Sequence, residues 1–489
     1  MALLRKILTI GLFLGVASAT QAQDDITDND FNIDAVTGPV LGSSRIVGMG
    51  GAYTAIADGI SGAAWNPASF ASRYNFELDW WDWDLALSLF GPGVFGQEDF
   101  FNNGKGVGAE GFWFVNAGLR LQFGRLGFGF DFRANLYEMN VGGEAVNITL
   151  LEGHSGVAWA FWEGQLVAGL GFRGATMNMT LPDAPEDEQD LISFTDAGLE
   201  AGVLLRLADR PWRIGVAARM PVDAKAETED NVEIDAVTGV KSIRNFILPN
   251  RVHMPWEVQL GFAWQFGDRR FNQLWEEPRD MEEELEEKVK FRRCWRAEEQ
   301  LRIEAEKKGE PLPPEELCPD LDEEPEDEAW WEREEKIREE ENEQLDKAVD
   351  EEEERIYWTR RRWHEADSRN YWLVSAELLL VGTTEKGVGM DAFLEQERRE
   401  AGREISVGFR IGAETEPWAG RMKVRAGFYL EPPRGVLGDY RPHGTVGFDV
   451  RLFRWDVWGL FHPFDLTVGM TGDFAPRYVD MGIGVGFWH

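Results

Sequence analysis

Few residues of this chain have the types and spacing that catalysis requires. The sequence of 489 residues contains six histidines, and no two of them share a spacing typical of metal ligands. The adjacent pair His154 and Ser155 comes nearest to the base and nucleophile of a lipase. Neighbouring side chains on a strand point to opposite faces, so without a bulge these two residues cannot share one site. We therefore expect no catalytic residue, no metal site and no cofactor, and hence not an enzyme.

The cysteines and the net charge restrict where the protein works and what it binds. Cys294 and Cys318 are the two cysteines of the chain. Two thiols are too few for a structural metal cage, whereas a single disulfide suits an oxidising periplasm, so we expect these residues to pair. The formal net charge is -37, and the phosphates of nucleic acids select basic surfaces. We expect no nucleic-acid partner.

The N-terminus has the features of an export signal. Arg5 and Lys6 precede an apolar run from Ile7 to Val16, and small residues follow up to Ala22. This order is typical of a secretory signal peptide, which we place at 1–22 with cleavage after Ala22. Nothing later in the sequence reaches the roughly 20 apolar residues of a membrane-spanning helix. The mature chain is therefore either soluble outside the cytoplasm or a β-barrel.

Two regions, 73–268 and 371–489, alternate large apolar residues with polar or small ones. The clearest run has an apolar residue at every second position: Trp256, Val258, Leu260, Phe262, Trp264 and Phe266. Because the side chains of a strand alternate between its faces, one face of this strand is wholly apolar. A soluble sandwich shows the same alternation with its apolar face inward, so the pattern alone leaves both folds open.

Three further features favour a barrel of the outer membrane. Strand connections alternate between short turns such as 124–125 and 163–164 and long segments such as 179–190. Tryptophans, which favour a membrane–water boundary, gather at the short-turn ends: Trp162, Trp212, Trp264, Trp418, Trp455 and Trp488. The last strand resembles the C-terminal signal of barrels inserted by the barrel assembly machinery. We predict an all-β fold, an antiparallel barrel of about 14 strands over 73–489 in the cell outer membrane.

A glycine-rich segment lies between the export signal and the first strand. It reads SRIVGMGGAYTAIADG from Ser44 to Gly59, and AWNPA follows from Ala64 to Ala68. The pattern MGGAYTAIAD followed shortly by NPA resembles the FadL-type superfamily of outer-membrane barrels, which includes PorV-like branches. The resemblance implies an N-terminal hatch over 23–72, with the NPA region near a bound hydrophobic ligand.

The residue types of this segment suit a plug that folds inside a lumen. Its glycines allow close backbone packing and positive φ, residues 52–57 could form a short helix that Gly59 ends, and Asn66-Pro67 favours a turn. The candidate hatch and ligand-gating residues are Gly48, Met49, Gly50, Gly51, Asp58, Asn66, Pro67 and Ala68. Two interpretations of the last three stay open: a gate for ligand, or simply the turn into strand one.

A charged insert, 269–370, interrupts the strands and carries about half of the net charge of -37. Residues 282–308 and 329–367 are predicted as two helices, since Glu and Lys or Arg recur at i,i+4 spacing on either side of a proline-rich connection. Strand one should run outward from the hatch, which places the insert, after the eighth strand, in the periplasm. It is either a solvated hairpin with a thin apolar seam or a docking arm for a partner.

The inferred lumen face mixes glycines with charged residues, which suggests a polar wall with room: Asp131, Arg133, Glu257, Arg410, Asp449, Arg451 and Asp480. The resemblance implies transport of a hydrophobic small molecule such as a long-chain fatty acid. The alternative, implied by the PorV-like branch, is a scaffold in protein secretion or surface attachment. Expected partners are outer-membrane lipid, the assembly machinery during insertion, the hydrophobic ligand and a periplasmic protein that binds the insert.

Overall fold

The computed structural model describes most of the chain. The described residues are 24–73, 80–91, 99–102, 109–141, 144–181, 190–225, 232–243, 246–272, 274–275, 278–309, 325, 327–366, 370–435, 439–455 and 464–488. The expected signal peptide, 1–22, and Cys318 lie outside these ranges. The export signal and the pairing of Cys294 with Cys318 therefore stay predictions.

Fourteen antiparallel strands form a closed barrel, which confirms the predicted fold and strand number. Each strand pairs with its neighbours in sequence, and the first pairs with the last to close the barrel. The strands are β1 (Trp81–Phe90), β2 (Ala109–Phe123), β3 (Leu126–Val141), β4 (Glu144–Phe161), β5 (Leu166–Thr180), β6 (Asp190–Leu205), β7 (Trp212–Arg219), β8 (Glu257–Gly267), β9 (Tyr371–Val381), β10 (Ser406–Trp418), β11 (Met422–Glu431), β12 (Arg441–Trp455), β13 (Phe464–Ala475) and β14 (Tyr478–Phe487).

The remaining elements are not part of the barrel wall. The α-helices are α1 (Ser44–Gly48), α2 (Pro278–Lys308), α3 (Glu328–Ala366) and α4 (Met390–Leu394), and two 3₁₀-helices are Ile60–Gly62 and Pro67–Ala71. The short strands are Asn32–Asp34, Val222–Lys225, Glu233–Ile234, Lys241–Ile243, Phe246–Ile247, Arg251–Met254 and Gly387–Gly389. Within the described residues, no helix combines the length and apolar character needed to cross a membrane.

The large apolar side chains of the strands lie on the outside of the barrel. On β8, Leu260, Phe262 and Phe266 are exposed, whereas Gln259 and Ala263 on the opposite face are buried. A sandwich would bury the apolar face, so the structure decides between the two folds that the alternation left open. A closed sheet with an apolar outer face pairs its backbone groups internally and presents apolar atoms to lipid. The barrel is therefore an outer-membrane barrel.

The two ends of the barrel differ in their connections. The end with the turn 124–125, called the short-turn end, also holds the predicted tryptophans, and Trp212 and Trp264 are direct partners across β7 and β8. The opposite end, called the long-loop end, holds the connection 220–256. The alternation of loop length is not strict, because Ala475 and Tyr478 are paired at the long-loop end and leave a tight turn there.

The insert after β8 forms the two predicted helices, and α2 and α3 pack in an antiparallel hairpin. Arg296 of α2 bonds Glu334 and Glu341 of α3, both at 2.8 Å. Hydrogen bonds from Arg296 and Arg293 hold the pKa of the Glu341 carboxyl below its ordinary value, against the raising effect of burial. Since few apolar side chains are buried between the helices, ion pairs form much of the seam.

A positive charge on the lipid-facing side of β8 should destabilise the barrel. Leu260 is 42% exposed on the outer face. We expect Leu260→Arg to lower the free energy of unfolding by roughly 2–4 kcal/mol, the cost of arginine near the midplane of a bilayer. Denaturant unfolding in lipid vesicles measures this, with Leu260→Phe as the apolar control. Equal stability of the two variants would show that this face does not meet lipid.

Candidate functional site

The N-terminal residues cross the whole lumen before the first strand begins. Asn32–Asp34 pairs in parallel with Arg251–Met254, which belongs to a connection at the long-loop end. Arg73 donates a hydrogen bond to the carbonyl oxygen of Gly124 at the short-turn end. Residues 41–73, called the plug, therefore run through the barrel from one end to the other, and nearly all of them are buried.

The plug begins with α1, and the helix predicted over 52–57 is wrong. Gly50 adopts a positive φ of 61°, which ends the helical path before residue 52. The backbone N–H groups of Tyr53 and Thr54 donate to the Glu377 carboxylate of β9, at 3.1 and 3.0 Å. The wall carboxylate of Glu377 thus fixes the path of the plug at these residues, and the sequence carries no signal of that tertiary contact.

Plug backbone packs directly against glycines on the lumen face of the wall, and these glycines are called the seats of the plug. A Cβ atom at Gly427 would lie 2.3 Å from the Gly50 nitrogen, and one at Gly412 would lie 2.3 Å from the Met49 carbonyl oxygen. The plug backbone approaches further wall glycines equally closely: Gly127, Gly169, Gly215 and Gly261. The expectation that these glycines leave room for cargo is therefore wrong, because plug backbone occupies that space.

The remaining glycines of the motif and Met49 belong to the same contact surface. A Cβ at Gly48 would lie 3.4 Å from the Cα of Gly447 in β12. The carbonyl oxygen of Gly51 accepts a hydrogen bond from the Trp65 indole at 2.9 Å, which joins two parts of the plug. Met49 is fully buried. The MGG motif is thus the part of the plug that packs against β10, β11 and β12.

Buried ion pairs hold this part of the plug on the wall. Arg45 of α1 pairs with Glu414 at 2.8 Å, and Glu414 also pairs with Arg425 at 2.6 Å. Arg425 in turn bonds Asp449 at 2.5 Å. Removing one partner of such a buried pair typically costs about 3–5 kcal/mol, since the other charge stays buried. Sequence analysis missed Arg45, although a cation in a segment of small residues was an available signal.

Asn66, Pro67 and Ala68 bind the plug to itself and to the wall. The Asn66 Oδ1 atom accepts from the Ala68 N–H at 3.0 Å, and its Nδ2 donates to the carbonyls of Thr54 and Val203 at 3.0 and 3.1 Å. Pro67 is the first residue of a 3₁₀-helix, where its missing N–H is not needed. These contacts give the NPA motif a structural role, and a gating role stays a proposal.

The first residues of the insert lie beneath the plug, at the short-turn end of the barrel. Asp58 of the plug pairs with Arg213 of β7 at 2.6 Å. The same guanidinium donates to the carbonyl oxygen of Phe271 and to the Asn272 Oδ1 atom, both at 2.7 Å. Asn272 donates in turn to the carbonyl oxygen of Trp212 at 2.9 Å. Asp58 therefore connects the predicted hatch to the beginning of the insert.

Trp275 connects the plug directly to the insert. The guanidinium carbon of Arg73 lies 3.8 Å from the centroid of the Trp275 ring, and that of Arg360 in α3 lies 3.7 Å from it. The Trp275 N–H donates to the carbonyl oxygen of Glu163 in a short turn. Each cation–π contact contributes about 0.5–2 kcal/mol. Sequence analysis missed Trp275, because the contact joins residues that are far apart in sequence.

The lumen face of the wall changes character along β4 and β5. On β4 it is apolar at Ile148 and Leu150 towards the long-loop end, charged at Glu152 and His154, and small at Ala158 towards the short-turn end. β5 repeats the order, and its apolar layer includes Met177 and Met179. The three parts are called the apolar, charged and small-residue layers. Sequence analysis recognised the charged layer but not the apolar one.

The charged layer is an internally paired network. Arg133 pairs with Glu152 at 2.8 Å, and Arg219 pairs with Glu257 at 3.0 Å. His154 lies in this network with its Nδ1 atom 2.9 Å from Glu200, whereas Ser155 is exposed on the outer face. His154 and Ser155 thus lie on opposite sides of the wall, as predicted, and form no nucleophile–base pair. The predicted lumen charges face inward, and apart from Asp480 their partners are carried on other strands.

Comparison with known proteins identifies channels of similar fold. No protein-family model and no curated protein matches the chain. The chain is similar to the CymD monoaromatic hydrocarbon channel, at 10% identity and a TM-score of 0.45 over 92% of this chain and 97% of that one. It is also similar to a Pseudomonas aeruginosa FadL homologue, at 10% identity and a TM-score of 0.45 over 92% and 98% of the two chains. An outer membrane channel from Pseudomonas putida F1 gives a TM-score of 0.30 at 8% identity, over 83% and 94%.

Proposed function

We propose that this barrel is a FadL-type transporter that passes hydrophobic small molecules, such as long-chain fatty acids, across the outer membrane. The observation that carries the proposal is the layered lumen, in which an apolar layer lies between the long-loop end and the plug. Short turns mark the periplasmic end of outer-membrane barrels, so the apolar layer faces outward. On β4 and β5 the part of the lumen face nearest the outside is therefore apolar.

A hydrophobic molecule that has passed the apolar layer next meets the plug. Its backbone lies within van der Waals contact of the glycine seats, so a molecule of any size passes only if the plug moves. The small-residue layer allows such movement, since Gly and Ala carry no side chains that interlock with the wall. The ion pairs of Arg45 and Asp58 set how firmly the plug is held on the wall. In this proposal Gly48 to Gly51, Asp58 and Asn66 to Ala68 are hatch residues rather than ligand contacts.

Locking the plug to the wall should stop transport. A Cβ at Gly484 of β14 would lie 3.1 Å from the Cβ of Ser44, just under the roughly 3.5–4.5 Å span of a disulfide. In the double variant Ser44→Cys with Gly484→Cys, we expect oxidation to reduce uptake of labelled fatty acid to the level of cells lacking the protein. Reduction should restore uptake. Each single variant is the control for the added thiol, and the cross-link is confirmed by mass spectrometry of the purified barrel.

Two results of this experiment would count against the proposal. Normal uptake with a complete cross-link would mean that cargo does not displace the plug. Low uptake in the reduced double variant and in both single variants would mean that the substitutions, rather than the lock, impair the barrel. A labelled neutral hydrocarbon tested beside the fatty acid shows whether the effect depends on one kind of cargo.

The insert favours a second candidate function, a scaffold for protein secretion or surface attachment. Phe291 and Trp295 of α2 are 51% and 57% exposed although they are large and apolar. Exposed apolar side chains on an otherwise charged hairpin suit a protein partner on the periplasmic side. A native pull-down with Phe291→Ser and Trp295→Ser as the matched variants tests this role. Loss of a co-purifying envelope protein with unchanged uptake would favour the scaffold.

A further inference from the structure

A compact group of polar and aromatic side chains lies at the long-loop end, on the lumen face of β11 to β14. It consists of Tyr429, Glu431, Arg441, His443, Asp473, Tyr478 and Asp480, and is called the acidic aromatic site. All of its members are buried, and none belongs to the plug or to the charged layer. The N–H of Val40, just before the plug, donates to the Tyr429 hydroxyl at 3.1 Å.

His443 at the centre of the site is held between two carboxylates. Its Nδ1 atom lies 2.9 Å from Asp473, and its Nε2 atom lies 2.9 Å from Glu431. A carboxylate only accepts hydrogen bonds, so both ring nitrogens donate and the ring is an imidazolium. Arg441 also pairs with Glu431, at 2.6 Å. These contacts account for the two cations of the site and for two of its carboxylates.

Asp480 is the carboxylate without a partner. It is 1% exposed, and within the described part of the chain neither of its side-chain oxygens has a hydrogen-bond partner. In the strand register it stands directly opposite Asp473, and carboxylates in that position repel each other. The hydroxyl of Tyr478, on the same face of β14, is buried and also unpaired. Among the described residues, the site therefore offers two polar groups without a partner, the Asp480 carboxyl and the Tyr478 hydroxyl.

The surroundings of Asp480 are aromatic. Tyr429 stacks on His443 with 4.1 Å between ring centroids, and Phe100 lies 6.4 Å from the ring of Tyr478. Phe100 in turn contacts Phe112 at 4.7 Å, within the apolar layer. The described side chains form no group of His, Cys, Asp and Glu arranged to hold a metal ion. Rings beside an acceptor carboxylate suit an organic group that donates hydrogen bonds.

We infer that the acidic aromatic site binds the polar end of a hydrophobic ligand when that end is a hydrogen-bond donor, a hydroxyl or an ammonium group. Asp480 accepts the hydrogen bond, and the Tyr478 hydroxyl takes part beside it. The apolar remainder of the ligand packs against Phe100 and the apolar layer. An ionised carboxylate is disfavoured, because it would bring a further negative charge into a buried site that already holds the carboxyl groups of Glu431, Asp473 and Asp480.

This inference rests on the proposed transport function and makes it more specific. Four probes share one alkyl chain and differ only at the end: 1-decanol, decylamine, decanoate and decane. Binding of each to the full-length barrel in lipid nanodiscs is measured at a pH where decanoate is ionised. For the natural barrel we expect the alcohol and the amine to bind about tenfold more tightly than decane, the effect of one hydrogen bond to a charged group, and decanoate to bind more weakly than decane.

Variants of Asp480 test the role of that carboxylate. Asp480→Leu removes a buried polar group that has no partner among the described residues, so we expect it to assemble as well as the natural barrel and to lose the preference for both donors. Asp480→Asn should keep part of the preference for decanol and lose that for decylamine, since the amide carries no charge. The control is Asp465→Asn, which changes a carboxylate paired with Arg451 at the other end of β12 and β13 and should leave the preference unchanged.

The outcomes separate this inference from the proposed function. Decane binding without any preference for a donor, or a preference that survives Asp480→Leu, would overturn the inference and leave transport of hydrophobic molecules standing. Tighter binding of decanoate would overturn the inference in favour of an acid-binding site. Failure of all four probes to bind would overturn both.

Discussion

Replacing Gly50 by valine should release the plug while the barrel still assembles. Gly50 has a φ of 61°, and a Cβ there would lie 2.9 Å from the Phe428 nitrogen and 3.2 Å from the Ile411 carbonyl oxygen. Both atoms are wall backbone, which is fixed by strand pairing and cannot move aside. A β-branched residue is also strained at positive φ, by about 1–2 kcal/mol. The side chain and the wall cannot occupy the same space, so we expect the plug to leave its seat.

The measurement is ion conductance of the purified barrel in planar bilayers. We expect long openings and a large rise in mean conductance for Gly50→Val, with unchanged heat-modifiability on gels as evidence of an intact barrel. Gly427→Val, from the wall side of the same contact, should have the same effect. Gly444→Val is the control, because a Cβ at that β12 position meets no atom within 4 Å. A closed, fully assembled Gly50→Val barrel would show that the seat does not hold the plug.

Deletion of the insert should leave the plug either closed or loosened, depending on where the cut is made. Replacing 285–350 by a short Gly/Ser turn removes most of α2 and α3 but keeps Trp275 and Arg360. We expect this barrel to assemble and to remain closed, since hairpin connections tolerate changes in length at little cost. Replacing 272–368 removes Asn272 and Trp275, which contact Arg213 and Arg73 beneath the plug. We expect that variant to assemble with a loosened plug.

Heat-modifiability reports assembly of both deletion variants, and bilayer conductance reports closure of the plug. The matched point variant is Trp275→Ala in the full-length chain, which should raise conductance without changing the helices, and Trp295→Ala on the exposed side of α2 is its control. Closed barrels from both deletions would mean that the insert has no part in holding the plug. Failure of the shorter deletion to assemble would mean that the distal hairpin is needed for folding.

Local features of the sequence were enough to predict the fold. The alternation from Trp256 to Phe266 predicted a strand with one apolar face, because side-chain direction in a strand depends only on position along the chain. In the structure that face is on the outside of the barrel. The bounds of α2 and α3 fall within a few residues of the predicted 282–308 and 329–367, because i,i+4 pairing and the intervening prolines are local signals. The expectation of an N-terminal hatch came instead from the resemblance that the MGG and NPA motifs carry.

Contacts between distant residues could not be predicted in this way. Residues 52–57 have the composition of a helix but form no helix, and Glu377 binds the Tyr53 and Thr54 amides across more than 300 positions of sequence. The wall glycines suggested room in the lumen, whereas plug backbone packs against them. In both cases the partner was a group that no local pattern could identify.

The sequence by itself determined the strands, the apolar face of each strand and the charged hairpin, since each depends on residues a few positions apart. Only the tertiary structure decided which charges pair, which glycines meet the plug, and that Asp480 stands opposite Asp473 without a partner. The physical reason is closure of the barrel. Strand number and register set which lumen side chains face each other, and those quantities become definite only when β1 pairs with β14.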